Sequence, residues 1–416
     1  MWELKIYKEN RHFSVRYFPT GDEQDLTEFL KFYLDTTDPV VTLTGPRQSG
    51  KSTLLKNTFS DYQYVSLEDP DMRDFTKNDP RGFFKTYSNR VILDEIQRVP
   101  TLFSYLQTHV DEINASGMYI LAGSQNFLLM QSINQSLAGR AAILKLLPFS
   151  HKELQNADQL PTSLNEEIFI GQYPRLFDKS LDVNEYYLFY TETYVQRDVR
   201  LLQNIGDLDA FIRFLKLCAG RIGQLINLSS LANDCGISLD TVKRWLSILE
   251  ASYIVYFLRP YHLKFSKRLV KTPKLYFYDT GLACSLLGIR SAMDLESHFL
   301  RGGLFENFLI NEFIKRSFNQ AMEPNLSFWR NHQGREVDLI DEDSGLGYEM
   351  KSGQTFSSEF FSNLNYWGKQ YDIPASKRIC VYGGSRSFNT SDGEAIGWKT
   401  FLEEKLTANQ LNFYKI

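Results

Sequence analysis

Apolar positions along this chain follow three kinds of pattern. Short unbroken runs come first: Val40-Val41-Thr42-Leu43-Thr44, Arg90-Val91-Ile92-Leu93-Asp94 and Met118-Tyr119-Ile120-Leu121-Ala122. Each is rich in branched aliphatic residues and bounded by polar residues or glycine, as strands buried on both faces of a parallel sheet are. Helical stripes come next. A helix-like piece spans Asp25–Leu34, and Tyr187, Tyr190, Tyr194 and Leu201 form a stripe that reads as core. Val242, Trp245, Leu246 and Leu249 recur at i, i+3, i+4 and i+7 behind a Ser238 cap. Alternating runs dominate the last third, where Glu336–Ile340 and Gly347–Lys351 flank the polar turn Asp341–Gly345 and read as a hairpin. A later apolar run, Arg378–Tyr382, ends in Gly383-Gly384 and fits a central strand. The whole is expected to be α/β.

The first strand leads into chemistry. Gly45-Pro46-Arg47-Gln48-Ser49-Gly50-Lys51-Ser52-Thr53 fills G-x-x-x-x-G-K-[ST] directly after it, and a helix is expected from the lysine. In such a turn the backbone N–H groups point inward and cradle phosphate oxygens at the positive end of the helix. Lys51 would neutralise the β- and γ-phosphates of ATP, and Ser52 would bind Mg²⁺. The second strand ends in Asp94-Glu95. Asp94 would hold the Mg²⁺ through water, while Glu95 would polarise the water that attacks the γ-phosphate. The third strand runs into Gly123-Ser124-Gln125-Asn126, where Ser124 is expected to sense the γ-phosphate or to cap a helix. These residues predict ATP binding and Mg²⁺-dependent hydrolysis.

Composition narrows the setting. With 416 residues the chain has room for two or three domains. No apolar run approaches the length of a membrane span, so no membrane partner is expected. The start, Met1-Trp2-Glu3-Leu4-Lys5, lacks a signal-peptide layout. Cys218, Cys235, Cys284 and Cys380 are scattered without a CxxC pair, which points to a reducing cytoplasm.

A net charge of −4 hides an uneven distribution. Arg259, Lys264, Lys267, Arg268, Lys271 and Lys274 fall in one stretch without an acidic residue. Upstream, Leu228–Cys235 reads as a short helix ended by Gly236, and the Val242–Leu249 stripe as a second, with Lys243, Arg244 and Ser247 on its outer face. Strands Tyr253–Leu258 and Leu275–Tyr278 would complete a winged helix whose wing tip is basic. Lys243, Arg244, Lys264, Lys267, Arg268 and Lys271 are candidates for contacts with double-stranded DNA. A packing module with a solvated basic loop has the same pattern.

The hairpin of the last third arranges Asp338, Glu349 and Lys351 as D-x(10)-E-x-K. Glu349 and Lys351, two apart on one strand, share a face that Asp338 can reach from the partner strand. Two carboxylates beside an amine suit metal-assisted phosphodiester hydrolysis, with Glu306 as a third carboxylate for a second Mg²⁺. A surface salt bridge is the plainer reading of the same residues.

Together these residues resemble one family of prokaryotic AAA-type ATPases, in which an N-terminal P-loop domain is joined through a winged helix to a domain resembling PD-(D/E)XK nucleases. The markers run in order along most of the chain. They begin with TGPRQSGKSTLL, VSLEDPD, VILDEIQRVP, LAGSQN, LAGR, LPFSHKEL, GQYPR and YVQRDVR. TPKLYFYDTGLA, LRGGLFENFLINE, FWRNHQGREVDLI and YEMKSG follow. The resemblance implies hydrolysis through Lys51, Ser52, Asp94 and Glu95. It implies a family arginine at Arg140, acting on the γ-phosphate in cis, from a neighbouring subunit, or only in an ion pair. It implies nuclease-type metal ligands at Asp338 and Glu349 with a catalytic Lys351. Arg197-Asp198 is a further marker without an assigned role. A homo-oligomer is expected, and either DNA or an unknown protein partner.

The implied organisation is an N-terminal lead-in (1–37), an AAA-type P-loop NTPase core with a parallel sheet (38–158) and a helical connector (159–220). A winged helix (221–290) and a restriction-endonuclease-like α/β domain (295–416) follow. Two functions are compatible with it. One is an ATPase coupled to DNA binding or processing. The other is an ATP-driven switch or scaffold whose C-terminal domain is a non-catalytic partner-binding module.

Overall fold

In the computed structural model of the chain, residues 2–9, 12–19, 26–36, 38–124, 129, 133, 135–179, 181–195, 207–261 and 272–406 are described, with only the backbone for 2–19 and 194–195. They form two compact units, Met1–Pro148 with Lys315–Glu323, and Phe149–Ile314 with Pro324–Ile416.

The first unit opens with an antiparallel hairpin, β1 (Trp2–Glu9) and β2 (His12–Pro19). Then come α1 (Leu26–Thr36), β3 (Val40–Thr44), α2 (Lys51–Thr58) and β4 (Gln63–Ser66). Two short helices, α3 (Pro70–Asn78) and α4 (Pro80–Thr86), each start with proline behind an aspartate, Asp69 or Asp79, that accepts a backbone N–H. β5 (Val91–Asp94), α5 (Leu102–Ile113), β6 (Tyr119–Gly123) and β7 (Ala141–Lys145) complete it.

The five strands β3–β7 pair in parallel in the order β4-β5-β6-β3-β7. Alternate residues face opposite layers. Val40, Val91, Leu93 and Leu121 pack with Phe83, Phe103 and Leu106 on one side. Val41, Leu43, Ile92 and Ile120 pack with Phe29, Leu30 and Leu55 on the other. Burial of each such side chain contributes about 1.5–3 kcal/mol relative to exposure. Phe29 and Leu30 show that α1 belongs to this core rather than to a separate lead-in, because its apolar stripe covers one face of the sheet.

The second unit begins with α6 (His151–Asn156), whose Ser150 and Glu153 form a capping box, then α7 (Leu164–Ile170) and α8 (Val183–Tyr190). α9 (Leu208–Ala219), α10 (Leu228–Cys235) and α11 (Leu239–Ala251) follow, then β8 (Val255–Pro260) and β9 (Lys274–Phe277). Phe211 and Phe214 of α9 meet Trp245 of α11 edge-on, with centroids at 5.2 and 5.3 Å. The three-helix group therefore starts before residue 221. After α12 (Thr280–Leu286) and α13 (Arg301–Asn319) come β10 (Leu326–Arg330), β11 (Glu336–Asp341) and β12 (Leu346–Lys351). α14 (Ser362–Tyr371), β13 (Arg378–Tyr382), β14 (Phe388–Asn389) and β15 (Glu394–Gly397) close the described chain with a last turn at Phe401–Lys405.

One sheet of eight strands runs β14-β15-β13-β12-β11-β10-β8-β9. The expected hairpin is β11–β12, with Leu339 opposite Tyr348, and the expected central strand is β13, parallel to β12. The hairpin β8–β9 is not a free wing beside a separate domain. β8 pairs in parallel with β10, Arg259 opposite Ser327, so the open edge that a lone hairpin would leave is covered by the C-terminal sheet.

Candidate active site

The turn Gly45–Gly50 joins β3 to α2, and Lys51, Ser52 and Thr53 form the first helical turn. Gly45 has a φ of 151°, and a Cβ there would lie 2.0 Å from the Leu146 carbonyl oxygen, so this close approach admits only glycine. The buried Lys51 Nζ donates to the carbonyl oxygens of Gly45 at 2.9 Å and Pro46 at 2.7 Å. Burial disfavours its ammonium and, against the opposing charges of Glu95 and Asp94, lowers its pKa to about 8. Ser49 Oγ is buried in the same turn with no hydrogen-bond partner among the described residues.

Asp94 ends β5, next to the Ser124 strand and one strand removed from the P-loop strand. Its Oδ2 accepts from Ser52 Oγ at 2.6 Å and from the Tyr64 hydroxyl, and its Oδ1 from the Glu95 amide at 3.0 Å. Glu95, at φ 54°, turns the chain sharply. Its carboxylate accepts from Ser124 Oγ at 3.0 Å and from Gln97 Nε2 at 2.6 Å. Burial raises the Glu95 pKa, opposed by Lys51 and reinforced by Asp94. The carboxyl ends of β3, β5 and β6 thus gather Lys51, Ser52, Asp94, Glu95 and Ser124, the position where open α/β sheets bind ligands.

These residues fit Mg²⁺-nucleotide. An orphaned buried hydroxyl, a glycine cradle, a desolvated ammonium and a Ser52–Asp94 pair have the donor and acceptor chemistry that phosphate and Mg²⁺ require. Tyr64 and Gln97 were given no role by sequence reasoning. Both sit in or beside marker runs, VSLEDPD and VILDEIQRVP, and that proximity was the available signal.

Arg140 is elsewhere. Its Nε and Nη2 form a two-point ion pair with Asp111, at 2.5 and 3.0 Å. It precedes β7, whose Ala141 is level with Val40 at the start of β3, while Lys145 is level with Thr44. Arg140 therefore lies at the far end of the sheet, roughly 15 Å from the P-loop along the strands. Of the three readings open to Arg140, the ion pair is the one it makes within its own chain.

In the second unit, Asp338 and Glu349 stand on the paired strands β11 and β12, continuing the register of Leu339 opposite Tyr348. Asp338 accepts the Met350 amide at 2.8 Å. Glu349 accepts from Lys351 Nζ at 2.6 Å and from Asn363 at 3.3 Å. Burial, then the Asp338 charge, pushes the Glu349 pKa up to about 8 against Lys351. Glu306 does not complete a carboxylate trio. It accepts from Lys274 Nζ at 2.8 Å and from the Tyr276 hydroxyl, and Lys274 also bridges to Glu336 at 2.5 Å. Burial lowers the Lys274 pKa, but Glu306, Glu336 and Asp338 outweigh it and raise the value overall. Among the described residues no three of His, Cys, Asp and Glu converge as a metal ion needs. The sequence assigned Lys274 to a basic surface stretch. The structure buries it, because β9 is a sheet strand.

Lys243 and Arg244 are exposed on α11, Lys243 within 4.0 Å of Asp240. Lys264, Lys267, Arg268 and Lys271 lie outside the described residues, as do Gln125, Asn126, Arg197 and Asp198. No described helix is long and apolar enough to cross a membrane.

Residues 37–155 match the family model described as an AAA domain. Residues 161–292 match a domain of unknown function (DUF8612), and residues 301–401 another (DUF4143). Uncharacterized proteins of Mycobacterium bovis and Mycobacterium tuberculosis are each 28% identical over 359 residues, 85% of this chain and 78% of theirs. Among solved structures, a Walker-type ATPase of Pyrococcus abyssi is 14% identical with a TM-score of 0.42, over 63% of this chain and 94% of its own. The segment 37–155 thus matches the AAA-domain model and carries the strand, glycine-rich turn and helix of a P-loop.

Proposed function

We propose that the chain is a Mg²⁺-dependent ATPase whose second unit couples nucleotide turnover to DNA binding or processing. The observation that carries hydrolysis is the convergence of Lys51, Ser52, Asp94, Glu95 and Ser124 at the ends of adjacent parallel strands. Lys51 would contact the β- and γ-phosphates, and Ser52 and Asp94 would hold Mg²⁺ directly and through water. Bound Mg²⁺ supplies charge neutralisation to the phosphates. Glu95, a carboxylate with a raised proton affinity, would polarise the attacking water, with Ser124 fixing one of its oxygens. Arg140, remote from its own P-loop, would reach a γ-phosphate only from a neighbouring copy in a homo-oligomer.

Support for the DNA arm is the order α9, α10, α11, β8, β9, which is that of a winged helix, with Lys243 and Arg244 exposed on α11. The nuclease-like reading draws on Asp338, Glu349 and Lys351 lying together on β11 and β12. One observation favours the alternative of a switch or scaffold that binds a protein partner. Three acids of the second unit are already engaged by lysines, Glu349 by Lys351 and Glu306 with Glu336 by Lys274.

Phosphate release with and without double-stranded DNA separates the two. Stimulation by DNA, together with Mg²⁺-dependent cleavage lost in Asp338→Ala and Lys351→Ala, is the expected result. Turnover indifferent to DNA, with no cleavage in Mg²⁺ or Mn²⁺, would leave the switch.

A further inference from the structure

We propose that Gln97 is a positioning residue of the hydrolysis site, fixing the orientation of the Glu95 carboxylate from within the same turn. The inference deepens the ATPase reading and rests on it.

Four observations converge on this side chain. Glutamine is a mostly exposed residue type, yet Gln97 is 3% exposed. Its Nε2 donates to Glu95 Oε2 at 2.6 Å, on the oxygen that lies farther from Ser124 Oγ. The two donors therefore hold the carboxylate from two directions. The backbone is bent to permit this: Glu95 adopts φ 54°, and Ile96–Arg98 form a 3₁₀ turn that brings residue 97 back beside residue 95. Finally, β6 ends in Gly123, where a Cβ would stand 2.4 Å from Gln97 Oε1 and 3.1 Å from Leu129 Cδ2. A glycine at that strand tip makes room for the amide.

The other end of the amide is informative too. Gln97 Oε1 is buried with no hydrogen-bond partner among the described residues. A side chain that served only to fill space would be better apolar, since an orphaned buried acceptor is destabilising. The amide is retained at that cost beside the one carboxylate whose direction the reaction needs. A general base loses efficiency steeply when misdirected, so fixing Glu95 acts on turnover and not on nucleotide affinity.

The test uses the 416-residue chain and three substitutions: Gln97→Met, which keeps the volume and removes both polar ends, Gln97→Glu, which removes the donor, and Gly123→Ala, whose Cβ displaces the amide while residue 97 stays glutamine. Steady-state phosphate release gives kcat and KM, and a fluorescent ATP analogue gives affinity. Gln97→Met and Gln97→Glu are expected to lower kcat by about 10- to 100-fold with analogue affinity held within about twofold. Gly123→Ala should show the same pattern. The Gly123→Ala/Gln97→Met double variant should lose no more than the worse single one, because both act through one amide. Unchanged kcat in folded Gln97→Met, or full additivity in the double variant, overturns the proposal. If Gln97→Met fails to fold, Gly123→Ala and Gln97→Glu decide. Turnover abolished by Glu95→Gln but untouched by Gln97→Met overturns this inference alone. No turnover in the unmodified protein overturns the ATPase reading with it.

Discussion

At the scale of single residues, Gly45, Gly50, Lys51 and Ser52 are legible because phosphate chemistry demands those types at fixed spacing along one strand–turn–helix unit, and Asp94-Glu95 because two carboxylates end a later buried strand. Tyr64 was not legible. It reaches Asp94 from β4, a neighbouring strand, and a contact between strands leaves no spacing to read. Its hydroxyl shares Asp94 Oδ2 with Ser52 and would compete there with a Mg²⁺-bound water. Tyr64→Phe keeps the ring, which sits under Lys56 Nζ at 3.8 Å, and removes the hydroxyl. The Mg²⁺ concentration that half-saturates turnover should shift by about 3- to 10-fold in that variant, with metal-free nucleotide affinity unchanged. A Mg²⁺ titration of phosphate release measures this. Gly45→Ala should do more, because its Cβ collides with backbone and not with a movable side chain. Nucleotide-dependent stabilisation is expected to vanish there.

At the scale of elements, the buried strands of the ATPase sheet and the hairpin β11–β12 emerged from hydrophobic patterning with only small shifts in their ends. The pairing of β8 with β10 did not. Partner choice between strands far apart in sequence is set by packing, and local periodicity carries none of it. That pairing explains Lys274, read as a surface cation and found between Glu306 and Glu336. Lys274→Met should cost about 3–5 kcal/mol, since it strands the buried Glu306 carboxylate, while the half-buried Glu336 keeps Arg330 at 2.8 Å. Chemical denaturation followed by tryptophan emission would measure it.

The packing of α6 makes a pH prediction. His151 Nδ1 lies 2.7 Å from Glu167, its amide donates to Glu312 at 2.8 Å, and Glu403 is 3.9 Å from Nε2. Burial lowers the His151 pKa, but Glu167, then Glu312 and Glu403, raise it above 6.5 overall. A folded pKa above the unfolded one stabilises fully below 6.5, and the contribution is lost as pH climbs through the folded value. The stability gap between the unmodified protein and His151→Gln should therefore narrow as pH climbs above 6.5. A gap that widens would contradict the ion pair.

At the scale of the whole molecule, the sequence anticipated an ATPase followed by α-helical and α/β segments, but it divided the second unit into pieces that the eight-stranded sheet joins. Of its DNA candidates, Lys243 and Arg244 are exposed on α11, and Lys264, Lys267, Arg268 and Lys271 lie outside the described residues. If nucleotide binds the folded first unit alone, Mg²⁺-ATP at 100 times its dissociation constant should add about 2.7 kcal/mol to that unit's stability. Calorimetry with Lys51→Ala as the control would register the difference.

The measurement that tests the central claim most directly is phosphate release from Mg²⁺-ATP by the unmodified protein, Lys51→Ala and Glu95→Gln, alongside nucleotide affinity. The account predicts turnover in the first, loss of binding and turnover in the second, and retained binding with turnover reduced by about 100-fold or more in the third. Turnover surviving Glu95→Gln, or absent from the unmodified protein, would contradict it.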